Sequence, residues 1–271
     1  MTATARPRAS TTASAPRASS TTRRSVGVRP IVRDGESDLV AVEEPLELRV
    51  DGEPVAVTMR TPGNDEELAA GFLYGEGLVR AAPRVGLTKD LAANAIEVEG
   101  PLARELGARR FYTTSSCGVC GKGALEEVAV HCDALPAGPS VARELLASLP
   151  ERLAQPGFAQ TGGLHATGLF DATGELVCAR EDVGRHNAMD KVIGWALLAG
   201  RLPLHERLLC VSGRLCFELV QKAAVAGAPI LVGVGAPTSL AIELAEDRGL
   251  TLCGFARRGR MNVYSHAERV N

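Results

Sequence analysis

Between Thr113 and Gly123 the chain reads T-T-S-S-C-G-V-C-G-K-G, two cysteines in a Ser/Gly-rich loop with Lys122 close behind. A cysteine reacts through its thiolate, which nearby cations and helix N-termini favour. Lys122 supplies a cation, and Ala124 to Val130 reads as the helix that follows. Gly118, Gly121 and Gly123 keep the loop free of bulk, so a large partner molecule can approach the sulfur. The pattern points to sulfur handling or redox chemistry at Cys117 and Cys120.

Four other chemistries involve cysteines of this kind. Structural zinc needs a second pair of ligands, and the remaining cysteines, Cys132, Cys178, Cys210, Cys216 and Cys253, form none. A disulfide framework fits poorly with an odd cysteine count and with cysteines set in apolar or mixed runs. A thioredoxin-like dithiol remains a competitor, although such pairs follow the first strand of a small βαβ domain and this one lies mid-chain. Zinc deaminase chemistry asks for H-x-E followed by P-C-x-x-C. His266–Ala267–Glu268 comes too late in the chain for that order, and Cys117 lacks the preceding proline. No residue is assigned as a metal ligand.

The chain has 271 residues, 45% hydrophobic and 23% charged, enough for one large or two small soluble domains. The apolar stretch from Ala223 to Ile242 is broken by Gly227, Pro229, Gly235 and Pro237, which excludes a membrane span there. Residues 1–30 carry six arginines, no acidic residue and mostly Ser, Thr, Ala and Pro, the composition of a disordered basic tail. Setting those arginines aside moves the net charge from −2 to −8. An acidic body of that kind is not expected to bind nucleic acid or membrane.

The elements that must hold the cysteine loop follow from periodicity. Leu46–Val50 and Val55–Met59 alternate around Asp51–Gly52, a hairpin, and Asn64 or Asp65 caps a helix over 66–74. Strand-like pieces at 95–98 and 109–113 complete a small α+β domain, residues 31–112. The reactive loop occupies 113–123. An α/β domain, 124–268, is expected beyond it: helix 140–149, strands 164–170 and 175–180 joined by the turn 171–174, and helix 187–199. Strand 207–211, helix 215–226, strand 229–234, helix 239–248 and strand 250–255 then alternate as a parallel sheet requires. Cys210 and Cys253 fall inside those strands and are read as core, while His131, His205 and His266 are read as surface residues.

Ligands of open α/β sheets bind beyond the C-terminal strand ends. Those ends carry Ser212–Gly213–Arg214, then Gly235–Ala236–Pro237–Thr238–Ser239, then Arg257–Arg258–Gly259–Arg260. Two lead into helix N-termini and the third offers guanidinium groups, together a cradle for the phosphates of a nucleotide or dinucleotide. His165, after Gly162–Gly163, is either a strand-start histidine or a ligand contact. In Glu181–Lys191, Arg185 and His186 sit at a helix start where the dipole disfavours cations, so the alternative of a solvated start with His186 paired to Asp190 explains them poorly.

Taken together, S-S-C-G-V-C-G-K, T-G-G-L-H, R-E-D-V-G-R-H-N-A-M-D-K, S-G-R-x-x-F-E-L-V-Q-K, A-P-T-S-L-A and G-R-M-N-V-Y strongly resemble the formate dehydrogenase accessory sulfurtransferase family, FdhD/NarQ, over roughly 37–266. The resemblance implies a cytidine-deaminase-like three-layer α/β/α C-terminal domain without the deaminase zinc site, beside a smaller α+β N-terminal domain. It implies a cytoplasmic sulfur carrier that takes persulfide sulfur from a cysteine desulfurase. That sulfur passes to the molybdenum (or tungsten) bis(molybdopterin guanine dinucleotide) cofactor destined for formate dehydrogenase. A homodimer is expected, and a guanine nucleotide should mimic the cofactor. The persulfide cysteine maps to Cys117, its partner to Cys120, and the cofactor-binding stretch to Phe255, Ala256, Arg257, Arg258, Gly259 and Arg260. Two other classes stay open: a nucleotide-binding chaperone without sulfur chemistry, and a thiol–disulfide oxidoreductase.

Overall fold

A computed structural model describes residues 27–100, 102–103, 111–112 and 132–271. Cys117, Cys120, the rest of the 113–123 loop and the helix expected at 124–130 lie outside the described residues. In chain order the elements are β1 (Val28–Arg33), β2 (Glu36–Ala41), β3 (Glu44–Val50), β4 (Glu53–Arg60), α1 (Asp65–Gly75), β5 (Arg84–Leu87), β6 (Ala95–Glu99) and β7 (Phe111–Tyr112). There follow α2 (Arg143–Arg152), α3 (Pro156–Thr161), β8 (His165–Asp171), β9 (Leu176–Asp182), α4 (Arg185–Leu198), β10 (Arg207–Val211) and α5 (Phe217–Val225). The chain closes with β11 (Ile230–Gly233), α6 (Ser239–Arg248), β12 (Thr251–Arg257), β13 (Arg260–Ser265) and a 3₁₀ turn, Ala267–Arg269.

Strands β10, β11 and β12 are parallel neighbours at the centre of a six-stranded sheet ordered β13-β12-β11-β10-β8-β9. Their apolar runs are long because both faces are covered. Leu208, Cys210, Ile230, Val232 and Cys253 pack with Leu146 and Leu149 of α2. The alternate residues Leu209, Val211, Leu231 and Leu252 pack with Met189, Ile193, Leu219 and Val220 of α4 and α5. This is the expected three-layer α/β/α arrangement, and Cys210 and Cys253 are core residues. A five-stranded sheet, β5-β6-β3-β4-β7, carries α1 and holds its own core of Leu46, Leu48, Leu68, Leu73 and Val98.

The two halves meet where α1 crosses α4. The backbones approach so closely that a Cβ on Gly71 would collide with the Asp190 carbonyl, and one on Gly194 with the Glu67 carbonyl. Leu197 of α4 belongs to the smaller core, and the Tyr74 hydroxyl donates to the Val225 carbonyl at 3.2 Å. Charged groups buried in this seam are paired: Lys191 Nζ lies 2.8 Å from Asp182, and Lys222 Nζ 2.7 Å from Asp190. Asp182 also accepts from the backbone N–H groups of Thr61 and Gly184 and from the Asn187 amide.

Four expectations need correction. Strand β1 starts at Val28 and pairs with β2 across the turn Asp34–Gly35, so the tail boundary at residue 30 falls inside a strand. Asn64 and Asp65 do not cap α1 with their side chains: Asn64 is left-handed, and the Asp65 carboxylate instead takes two N–H groups of Arg60. The helix expected at 140–149 runs from Arg143 to Arg152, and α3 was not anticipated. Most consequentially, the last strand does not end at 255. It continues to Arg257, turns through Arg258–Gly259 and returns antiparallel as β13.

Two variants test the seam. Gly194→Ala must push α1 and α4 apart, an overpacking that should cost about 1–3 kcal/mol in urea unfolding. Asp182→Ala strands Lys191, which is 1% exposed, and should cost about 3–5 kcal/mol. A change within error in either would mean that the seam contributes little to stability.

Candidate functional site

One edge of the six-stranded sheet gathers the C-terminal ends of β9, β10 and β11, the start of β8, and the N-termini of α4, α5 and α6. The antiparallel register of β8 against β10 and β9 produces this gathering, since it sets Thr167 beside Val211 and His165 beside Asp182. Backbone hydrogen bonds then stitch the loops together. Gly235 N–H donates to Gly213, Leu215 to Ala236, Thr238 to Leu215 and Phe255 to Gly235, all at 3.0–3.1 Å. Gly235 has no room for a side chain, because a Cβ there would sit 2.9 Å from the Arg214 backbone.

His165 lies against this platform. Its Nδ1 is 3.4 Å from Ser212 Oγ, and that oxygen accepts the Ala166 N–H at 2.9 Å. Gly213 packs beside the imidazole and beside the Arg185 side chain. Burial holds the His165 pKa below 6.5, and the guanidinium groups of Arg185 and Arg214 lower it further. His165 is therefore a neutral imidazole at neutral pH, set among fixed cations that a phosphate would find attractive.

His186 enters from the first turn of α4. Its Nε2 lies 3.2 Å from Cys216 Sγ and 3.9 Å from a Glu218 carboxylate oxygen. Cys216 is the N-cap residue of α5 and Glu218 lies in its first turn. Burial pushes the Cys216 thiol up, and the Glu218 carboxylate pushes it further. The alternative pairing of His186 with Asp190 does not occur, because Asp190 binds Lys222.

The structure thus brings His165, His186, Ser212, Gly213 and Arg214 into one neighbourhood, with Thr238 and Ser239 joined to it through the stitched loops. The Thr238 hydroxyl faces the Ala241 N–H as the cap of α6, so that side chain is partly committed to its own helix. Phe255, left-handed and half exposed, borders the platform. The remainder of the C-terminal stretch divides by burial. Ala256 is fully buried under α2 and offers a ligand no side-chain contact. Arg257, Arg258, Gly259 and Arg260 are exposed on the β12–β13 hairpin, where the Arg258 N–H donates to Glu151 of α2. Of the three strand ends expected to form the cradle, those of β10 and β11 lead into helix N-termini and that of β12 into the hairpin, while α4 adds a further N-terminus after β9.

Sequence reasoning singled out Arg185 without assigning it to the site, and passed over Cys216 and Glu218 altogether. Arg185 carried a signal, its placement against the helix dipole. Cys216 and Glu218 carried none, because their relation to His186 exists only across two helices.

The lowered His165 pKa makes stability depend on pH. The unfolded chain binds the proton more tightly, so the stability from this group is present above pH 6.5 and is lost as pH falls through the folded value. Removing a cation should move the titration: in Arg185→Ala the NMR-monitored His165 pKa should rise toward 6.5. An unchanged titration would assign the shift to burial and Arg214, with no part for Arg185.

The family model of FdhD/NarQ matches residues 41–271. A sulfur carrier protein FdhD from Nocardia farcinica is 50% identical over 261 residues, covering 92% of this chain and 94% of the relative. The sulfur carrier protein FdhD of Mycobacterium tuberculosis is 47% identical over 254 residues, covering 86% and 92%. A crystal structure from Desulfotalea psychrophila, assigned as a formate dehydrogenase accessory protein, superposes with a TM-score of 0.69 at 28% identity, covering 90% of this chain and 97% of that one. The chain belongs to the FdhD/NarQ family.

Proposed function

We propose that this chain is a sulfur carrier serving formate dehydrogenase, with Cys117 as the carrying residue. The observation that carries this reading is near full-length identity of about half to proteins named sulfur carrier protein FdhD. The C-G-V-C loop supplies the chemistry and Lys122 favours the thiolate. In this reading the Cys117 thiolate attacks the terminal sulfur of a cysteine desulfurase persulfide. The S–S bond of the donor breaks, its cysteine leaves as thiolate, and Cys117 becomes the persulfide. Cys120 thiolate then attacks the Cys117 Sγ, expelling the terminal sulfur as hydrosulfide. That sulfur becomes a ligand of the molybdenum bis(molybdopterin guanine dinucleotide) substrate, and a dithiol reductant reopens the Cys117–Cys120 disulfide.

The sheet edge supports binding of the substrate's dinucleotide arms. Arg185 and Arg214 flank a neutral His165, helix N-termini open beside them, and Phe255 presents a half-exposed ring to a base. Arg257, Arg258 and Arg260 extend this positive surface along the hairpin. Holding two large reactants in register supplies much of the rate in such a transfer. Among the described residues no helix is long and apolar enough to cross a membrane. A cytoplasmic homodimer is the setting we infer for this carrier.

Intact mass spectrometry after incubation with a desulfurase and cysteine should show an adduct of roughly 32 Da, one sulfur atom. Cys117→Ser should lack the adduct and fail to activate formate dehydrogenase. Full activation by that variant would overturn the reading. GDP should bind, and Arg214→Ala or Arg260→Ala should weaken it about tenfold to a hundredfold, as expected for one charge-assisted hydrogen bond. Equal affinity in both variants, measured by calorimetry, would move the nucleotide off this edge.

A further inference from the structure

The His186–Cys216–Glu218 cluster has no part in the sulfur transfer proposed above. It is nonetheless a built arrangement. A nitrogen, a sulfur and a carboxylate oxygen lie within 4.8 Å of one another. His186 is buried and Glu218 only 17% exposed. The donors come from two helices whose spacing is locked. Asp190, one turn beyond His186, pairs with Lys222, one turn beyond Glu218, at 2.7 Å. Asn187, next to His186, donates to the Met59 carbonyl and to Asp182. The three donor groups are thus set on a frame that the rest of the fold holds still.

We propose that His186 Nε2, Cys216 Sγ and a Glu218 carboxylate oxygen form a divalent metal site selective for zinc-like ions, supplying three ligands from the described residues. The distances fit that assignment. Zinc bonds of about 2.0–2.3 Å at tetrahedral angles place donors about 3.3–3.8 Å apart. The structure has 3.2 Å from His186 to Cys216 and 3.9 Å from His186 to Glu218. A mixed N, S and O set suits zinc or cobalt and disfavours magnesium or calcium, which take oxygen. Charge is consistent too. A thiolate and a carboxylate neutralise a divalent ion, so the neighbouring Arg185 faces no net positive complex. Binding of the ion requires the Cys216 thiol to give up its proton. The ion would replace that proton, which leaves to solvent on binding. Neither the desulfurase nor the molybdenum substrate enters this inference.

The test uses full-length protein with Cys117→Ser and Cys120→Ser, which removes the competing C-x-x-C thiols. Added Co²⁺ should give a thiolate-to-cobalt charge-transfer absorption and the visible bands of a tetrahedral complex, saturating at one equivalent and displaced by Zn²⁺. Adding Cys216→Ser should abolish the charge-transfer band while circular dichroism stays unchanged, and Glu218→Gln should weaken binding without abolishing it. Zn²⁺ should also raise the melting temperature of the double variant but not of the Cys216→Ser protein. Absence of the band in the double variant, or a band and melting shift that survive Cys216→Ser, would show that the cluster is only a hydrogen-bonded start to α5.

Discussion

Helix α4 has no solvent face for most of its length, and that burial governs the rest of the structure. Its apolar residues Met189, Val192 and Ile193 pack toward the six-stranded sheet, while Gly194 and Leu197 meet α1 and the smaller core. An all-round buried helix that also carries Asp190 and Lys191 is stable only if those charges are paired. Each pair reaches a different element. Lys191 binds Asp182 at the end of β9, and Asp190 binds Lys222 in α5. Breaking one partner leaves a bare charge, so the pairs specify one arrangement of strand, helix and neighbouring helix.

That arrangement decides where the N-terminus of α4 points. Asp182 is the last residue of β9, and Gly184, the N-cap of α4, donates its N–H to it. The chain therefore turns sharply at the sheet edge and delivers Arg185 and His186 beside His165 and Cys216. The charge network behind the site and the cationic residues within it are the two ends of one motif. Residues 182, 187, 190 and 191 hold the frame, while 185 and 186 face what the frame presents.

Legibility in the sequence followed burial geometry. β10 and α6 match their expected limits because a run buried on both faces, or one with a threonine cap and a glycine stop, has a clear local signature. The hairpins fared unevenly. Asp51–Gly52 was legible because alternating apolar residues flank it. Asp34–Gly35 has the same turn chemistry, but the strands around it are largely exposed and offer no alternation. Arg258–Gly259 was hidden by its chemistry: both residues have positive φ, as a two-residue hairpin turn requires, yet an R-R-G-R run reads as a phosphate loop. The buried charges of α4 were unreadable for another reason. A helix covered on every side has no polar face, so charges at its start stand out as misplaced but cannot be read as buried pairs until their partners at 61, 182 and 222 are known.

The same logic separates the parts of the site that are backbone from the parts that are side chain. Gly213, Gly235 and the stitched N–H to carbonyl bonds fix the platform without using a side-chain hydrogen bond of their own. Side chains on it are free to specialise, provided each stays within reach of the frame. His165 is kept neutral by burial and two guanidinium groups, whereas His186 is set against a thiol and a carboxylate. Two histidines on one sheet edge thus meet environments of opposite sign. One neighbourhood attracts anions and the other attracts a cation, and what divides them is the first turn of a single buried helix.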